Sequence, residues 1–325
     1  MRQRSKKSIY GILAGGAFLL APLFILGQQP PQQPPQEKAK EEDAVFQSDT
    51  RLVPLNVTVT DKSGHLVTDL PQSAFTVMEN GVPQPIKIFK SEDVPVSIGL
   101  IIDNSGSMRD KRQAVESAAL ALVKSSNPQD EAFVVNFNDE AYLDTPHLTS
   151  DINILEQALT KINAKGGTAM RDALRMSMQE LTQKAKRDKK VLLVVTDGND
   201  NASTETIDAV VREAQQSDIL IYAIGLLSQE EKKEARAAKR ALDLLVSNTG
   251  GQVFYPNSVT EVEGIAKEVA RDIRSQYTVA YTPSNSTLDG TFRTIKVTVK
   301  SRNNLVARTR MGYYATKDRG AKRGL

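Results

Sequence analysis

The sequence predicts an α/β fold: a doubly wound, mostly parallel sheet with helices on both faces, inserted in or flanked by a small β domain. Three observations predict it. Residues 93–275 alternate short apolar runs with segments of helical periodicity, the pattern of repeated β–α units. Two of the runs, VSIGLIID at 96–103 and VLLVVT at 191–196, are almost continuously apolar, as strands covered on both faces must be. On either side, residues 44–92 and 276–316 change to two-residue alternation with β-branched residues and Asn-Gly or Asp-Gly turns.

The elements follow in order. Arg2, Arg4, Lys6 and Lys7 precede 20 uncharged residues, Ser8 to Gly27. A basic flank before an apolar run is the export pattern, and the run is long enough to span a bilayer. A cleavable signal peptide and an uncleaved membrane anchor both satisfy it. Either places the rest of the chain outside the cytoplasm: periplasmic, secreted or membrane-anchored. Residues 28–43 begin QQPPQQPPQ and continue with charged residues, so they read as an extended spacer. Strands are predicted at Leu52–Thr60, Phe75–Glu79 and Pro85–Phe89, the last two joined by an Asn80-Gly81 hairpin turn. The central unit, 93–275, has predicted strands at Val96–Asp103, Glu131–Phe137, Ala141–Leu143, Val191–Thr196, Ile219–Gly225 and Gln252–Tyr255. Its predicted helices are Lys111–Asn127, Asp151–Asn163, Thr168–Lys186, Thr204–Ser217, Gln229–Ser247 and Ser258–Ser275. Tyr277–Thr282, Phe292–Lys300 and Leu305–Tyr314 return to strands, and the basic tail 317–325 is expected to have no fixed structure. The two flanks are expected to pack together as one β domain.

Composition removes several function classes. There is no cysteine, which excludes disulfides, thiolate metal sites and cysteine nucleophiles. The two histidines, His65 and His147, lie in separate loops and suit neither a His-rich metal site nor a catalytic triad. A net charge of +3, from 42 basic and 39 acidic residues, is too balanced to indicate nucleic acid. No P-loop, G-x-G-x-x-G or G-x-S-x-G motif is present.

Ligands of open parallel sheets bind beyond the carboxyl ends of the strands. After Val96–Asp103 come Ser105 and Ser107, which put a carboxylate and two hydroxyls at alternate positions around Gly106. Gly166-Gly167-Thr168 adds a third hydroxyl at a helix start, and Asp197-Gly198 adds a second carboxylate after the strand 191–196. Two carboxylates and three hydroxyls form a hard-oxygen donor set suited to Mg²⁺, with Mn²⁺ and Ca²⁺ as alternatives. Nearby, Asp110 and Asp172 read as helix-start charges and Asp200 as a solvated loop acid. The stretch from Asp197 to Asp208 imitates an EF-hand loop only superficially, because Ala202 stands where glycine is needed and a strand precedes it.

In this arrangement Asp103, Ser105, Ser107, Thr168 and Asp197 resemble the metal-ion-dependent adhesion site of von Willebrand factor A (VWFA) domains, in order and in strand context. The resemblance covers residues 93–275. The stretch 59–81 (VTDKSGHLVTDLPQSAFTVMENG), SQYTVAYTP at 275–283 and GYYA at 312–315 are similar to a bacterial family of exported VWFA-related proteins. The resemblance implies that Ser105 and Ser107 coordinate the ion directly, Thr168 in the ligand-bound form, and Asp103 and Asp197 directly or through water. It implies a non-enzymatic, exported binding module whose ion bridges to an acidic side chain of a protein partner. Membrane contact would come only through an uncleaved N-terminal segment. Two other readings remain at this point: a structural or assembly protein of the cell envelope with a stabilising metal, and a metal-assisted hydrolase.

Overall fold

A computed structural model describes residues 51–161, 164–229, 231–300 and 304–316. The export segment 1–27, the linker 28–43 and the tail 317–325 lie outside the described residues. Strand β1 (Val53–Thr60) turns Val53, Leu55, Val57 and Val59 into a core. It is followed by β2 (Phe75–Glu79), β3 (Val82–Gln84) and β4 (Ile86–Lys90). Asn80 and Gly81 make the β2–β3 turn with φ of 48° and 80°. These are the two left-handed positions that Asn-Gly tolerates. The strand expected over 85–89 is present as β4, but its pairing with β2 across that turn is corrected. The hairpin partner of β2 is Val82–Gln84, and β4 belongs to another sheet. Pro85, which has no N–H to donate, stands between the two strands.

The central unit contains β5 (Val96–Asp103), α1 (Arg112–Lys124), β6 (Glu131–Phe137), β7 (Ala141–Leu143), α2 (Ile152–Leu159), α3 (Met170–Lys184) and β8 (Lys189–Thr196). It continues with α4 (Ile207–Gln216), β9 (Ile219–Gly225), α5 (Lys232–Thr249), β10 (Val253–Phe254) and α6 (Val262–Arg274). The six strands stand in the order β10-β9-β8-β5-β6-β7, and only β7 runs antiparallel. Successive side chains of a strand face opposite sides, so both faces must be apolar. Ile98, Leu100 and Ile102 pack with α1, α2 and α6 on one face. Ile101 packs with α3, α4 and α5 on the other. Gly99 faces that second side beneath Phe133. A Cβ there would lie 2.5 Å from Leu192 Cδ2 and 2.6 Å from Phe133 Cζ. Gly99→Ala is therefore expected to cost about 1–3 kcal/mol by overpacking, read as a lower urea midpoint with an unchanged slope.

Strands β11 (Tyr277–Tyr281), β12 (Phe292–Val299), β13 (Val306–Arg308) and β14 (Gly312–Tyr314) complete the chain. They join the first four strands in two four-stranded antiparallel sheets, β13-β1-β11-β4 and β14-β12-β2-β3. One core lies across both sheets, with Leu55, Val57, Tyr277 and Val279 from the first and Phe75, Val77, Ile295 and Val297 from the second. The hydroxyls of Tyr281 and Tyr313 both donate to Glu79 Oε2, at 2.7 and 3.0 Å, and tie the sheets across that core. The expected single strand Leu305–Tyr314 is corrected to two short strands in different sheets. The break is at Arg310, which turns inward, ion-pairs with Asp218 and donates from Nη2 to the Pro54 carbonyl at 2.9 Å.

A buried polar cluster joins these sheets to the α/β unit. Asp272 of α6, 3% exposed, accepts hydrogen bonds from Thr58 Oγ1 of β1 at 2.8 Å and from the Tyr222 hydroxyl of β9 at 3.0 Å. It also ion-pairs with Arg308 of β13. Gln276 donates to both Thr58 and Tyr222. Among the described residues no helix is long and apolar enough to cross a membrane.

Candidate metal centre

Register brings the two acids together. Strands β5 and β8 are parallel neighbours paired Ile102 to Val195, so Asp103 emerges beside Thr196, with Asp197 one residue further. Asp103 is fully buried at the end of β5. Its Oδ1 accepts the Ser105 N–H at 2.8 Å and its Oδ2 accepts the Thr196 hydroxyl at 2.6 Å. Burial pushes its carboxyl up to about 6, against the lowering effect of these hydrogen bonds.

The chain then curls outward through a turn at Gly106–Met108. Ser105 Oγ lies 3.1 Å from Ser107 Oγ, and the Ser107 hydroxyl donates to Asp197 Oδ1 at 2.8 Å. Two backbone bonds fasten this loop to the glycine loop: Gly106 N–H to Gly166 O at 3.2 Å, and Lys165 N–H to Asn104 O at 3.1 Å. Thr168, 4% exposed, is held by its N–H on Asn201 Oδ1 at 2.9 Å. Its hydroxyl lies 3.8 Å from the position a Cβ on Gly198 would take, and no described residue hydrogen-bonds to it. The five residues therefore meet at one corner of the sheet. Ser107 and Gly166 are exposed there, whereas Asp103, Ser105, Thr168 and Asp197 are buried.

Several supporting residues were not anticipated. Thr196, adjacent to Asp197 in sequence, is the partner of Asp103. Asp139 accepts the Gly167 N–H at 2.7 Å, and a Cβ at Gly166 (φ 76°) would lie 2.0 Å from its Oδ2, so the glycine loop closes over that carboxylate. Arg112, 1% exposed, donates to Asn104 Oδ1, Asn136 Oδ1 and the Leu159 carbonyl, bracing the loop from beneath. Lys111 Nζ lies 2.6 Å from Asp197 Oδ2. Its signal was a lysine at a helix start, where the dipole favours acids.

One reading of a nearby acid is corrected and another is extended. Asp200 is not a solvated loop acid: its side chain is 5% exposed and accepts from Arg171 and Ser203. Asp172 lies in the first turn of α3 and also caps the neighbouring loop, accepting the N–H groups of Thr204 and Glu205. Both carboxylates are committed to loop architecture. Among the described residues, no cluster of three or more His, Cys, Asp and Glu side chains is placed to hold a metal. The donor set at the corner is two carboxylates and three hydroxyls, all hard oxygens, and one hydroxyl lacks a protein partner. That chemistry fits Mg²⁺, Mn²⁺ or Ca²⁺.

Residues 98–199 match the von Willebrand factor type A domain. The α/β unit has the von Willebrand factor A fold. The matched A-type segment runs from β5 to just past Asp197 and so contains all five residues of the corner. The chain is 25% identical over 233 residues to bovine inter-alpha-trypsin inhibitor heavy chain H4, covering 66% of this chain and 24% of that protein. It is 27% identical over 172 residues to equine calcium-activated chloride channel regulator 1, covering 51% of this chain and 18% of that one. The chain thus spans about a quarter or less of these relatives' length. A solved von Willebrand factor type A protein from Catenulispora acidiphila is similar with a TM-score of 0.49 and 14% identity, over 84% of this chain and 76% of that one.

Proposed function

We propose that the protein is an exported, non-enzymatic binding module that holds a protein partner through a divalent cation. Asp103, Ser105, Ser107, Thr168 and Asp197 hold the cation, and an acidic side chain of the partner completes its coordination. The observation that carries this reading is the 2.8 Å contact from Ser107 Oγ to Asp197 Oδ1. It joins the two halves of the donor set at an exposed corner, beside a Thr168 hydroxyl with no described partner.

A bound cation would supply positive charge and exchangeable coordination positions for an external carboxylate. The chain's own residues set how strong that attraction is. Three of the five donors are neutral hydroxyls, so only the two carboxylates offset the cation's charge and no excess negative charge repels an incoming acid. The hydrogen bonds from Thr196 and Ser105 fix the Asp103 carboxylate before any ligand arrives, which lowers the ordering cost of binding. A hydrolytic role would need a general base within reach. His65 and His147 are exposed and make no described contact with the five residues, and Asp200 is tied to Arg171. An inhibitor heavy chain and a channel regulator among the relatives support the non-catalytic reading.

The test has two parts. Mn²⁺ titrated into the EDTA-stripped full chain should bind at one site, and Asp197→Ala should lose it. A partner captured in Mg²⁺ should be released by EDTA and should not bind Asp197→Ala. A partner retained in both cases overturns the ion bridge. Chelation that lowers the melting temperature and leaves the partner bound would assign the cation a stabilising role instead.

A further inference from the structure

Lys111 places a cation of the protein's own at this corner. Its side chain is only 10% exposed, and Nζ lies 2.6 Å from Oδ2 of the fully buried Asp197. The other oxygen of Asp197 receives the Ser107 hydroxyl, so both carboxylate oxygens are engaged. Lys111 is also carried by the same turn as Ser107. Its N–H donates to the Met108 carbonyl at 3.0 Å, and its carbonyl receives the Val115 N–H at 3.2 Å, the first bond of α1. The ammonium therefore cannot move far unless its side chain swings outward. Arg109 and Asp110, which precede Lys111 in the turn, are exposed.

We propose that Lys111 is a tethered competitor of the divalent cation, and that it makes the corner load a cation and an anionic partner together. The proposal rests on the cation-site reading above. Without a cation, the ammonium offsets the buried charge of Asp197, which would otherwise be left unpaired. A divalent cation must share or take over that carboxylate against the repulsion of a nearby positive charge. With two ionised carboxylates, one divalent cation and the ammonium, the corner carries one surplus positive charge. A partner carboxylate cancels it. The lysine thus weakens binding of the cation alone and strengthens the preference for a cation accompanied by an acid, which is a specificity device as much as an inhibitory one.

The experiment is a Mn²⁺ titration of the EDTA-stripped full chain, with free Mn²⁺ read by electron paramagnetic resonance, comparing wild type, Lys111→Met and Lys111→Arg. Lys111→Met is expected to bind Mn²⁺ about tenfold more tightly, the effect of removing one screened like charge, and Lys111→Arg is expected to stay near wild type. Thermal unfolding provides an independent readout. In EDTA the Met variant should melt below wild type, because Asp197 has lost its counter-ion. Mg²⁺ should then raise its melting temperature by more than it raises that of wild type. Sodium acetate, as the anion probe, should tighten Mn²⁺ binding to wild type more than to Lys111→Met. Mn²⁺ binding to wild type with equal or weaker binding to Lys111→Met would overturn the role of Lys111 and leave the cation site standing. No Mn²⁺ binding to wild type or either variant would overturn both.

Discussion

Asp103→Asn is expected to weaken divalent-cation binding by about a hundredfold or more, yet leave the cation-free protein no less stable at pH 7. In the proposed site the two effects separate because the carboxylate would serve the cation, whereas its neighbours need only a hydrogen-bonding group of the same shape. Asparagine's oxygen can keep the Ser105 N–H, and the Thr196 hydroxyl can rotate to accept from the amide. The charge itself is a burden on the cation-free fold. Burial raises the Asp103 carboxyl from 3.8 to about 6, so the folded state holds this proton more tightly than the unfolded state does. Stability from that proton is fully present below 3.8 and is lost as pH rises through about 6. Asparagine does not titrate. Melting temperatures in EDTA should therefore diverge in favour of Asp103→Asn between pH 4 and pH 7. Isothermal titration with Mn²⁺ checks the affinity, and the pH series in EDTA checks the stability. A variant that keeps wild-type affinity would remove Asp103 from the cation's donors.

Asp272→Ala is expected to give the largest loss of stability in the molecule, about 3–5 kcal/mol, or roughly 10 °C in melting temperature. Removing this carboxylate takes away the partner of Arg308, the acceptor for Thr58 and the acceptor for Tyr222 in one step. The guanidinium keeps only Gln252 Oε1 and a weak contact to Thr58. The four groups come from α6, β1, β9 and β13, so the damage falls on the junction between the sandwich and the A-type unit. A companion Arg308→Met in the Asp272→Ala background should recover part of the loss, since no unpaired charge then remains. Urea unfolding of the four proteins in the cycle measures the coupling. Additive effects would show that the junction is not energetically linked through this pair.

What could be read from the residues depended on how local the cause was. The buried strands 96–103 and 191–196 announce themselves because both of their faces are apolar. The acids that terminate them are then placed by the parallel pairing of β5 with β8. The break within 305–314 could not be seen, since alternation continues through it. It depends on Arg310 finding Asp218 and Pro54, residues far away in the chain. The same holds for Asp200, which looks like a solvated loop acid until Arg171 and Ser203 fold over it. Lys111 was legible only as an anomaly, a cation at the wrong end of a helix. Its meaning required the position of Asp197.

The interleaving of the sandwich strands has a consequence for how this chain is made. Val53 pairs with Tyr281, and Phe75 with Val299, so neither sheet can close until the A-type unit has already been synthesised. Strands β1 to β4 emerge first and must wait with unsatisfied edges, a condition that invites mispairing with other chains. The A-type unit, whose strand neighbours are mostly joined by short crossovers, can meanwhile collapse on its own local contacts. Its completion brings the two polypeptide arms to the same place and shortens the search that the late strands must make. The A-type unit thus acts as the clasp that lets its own pedestal assemble.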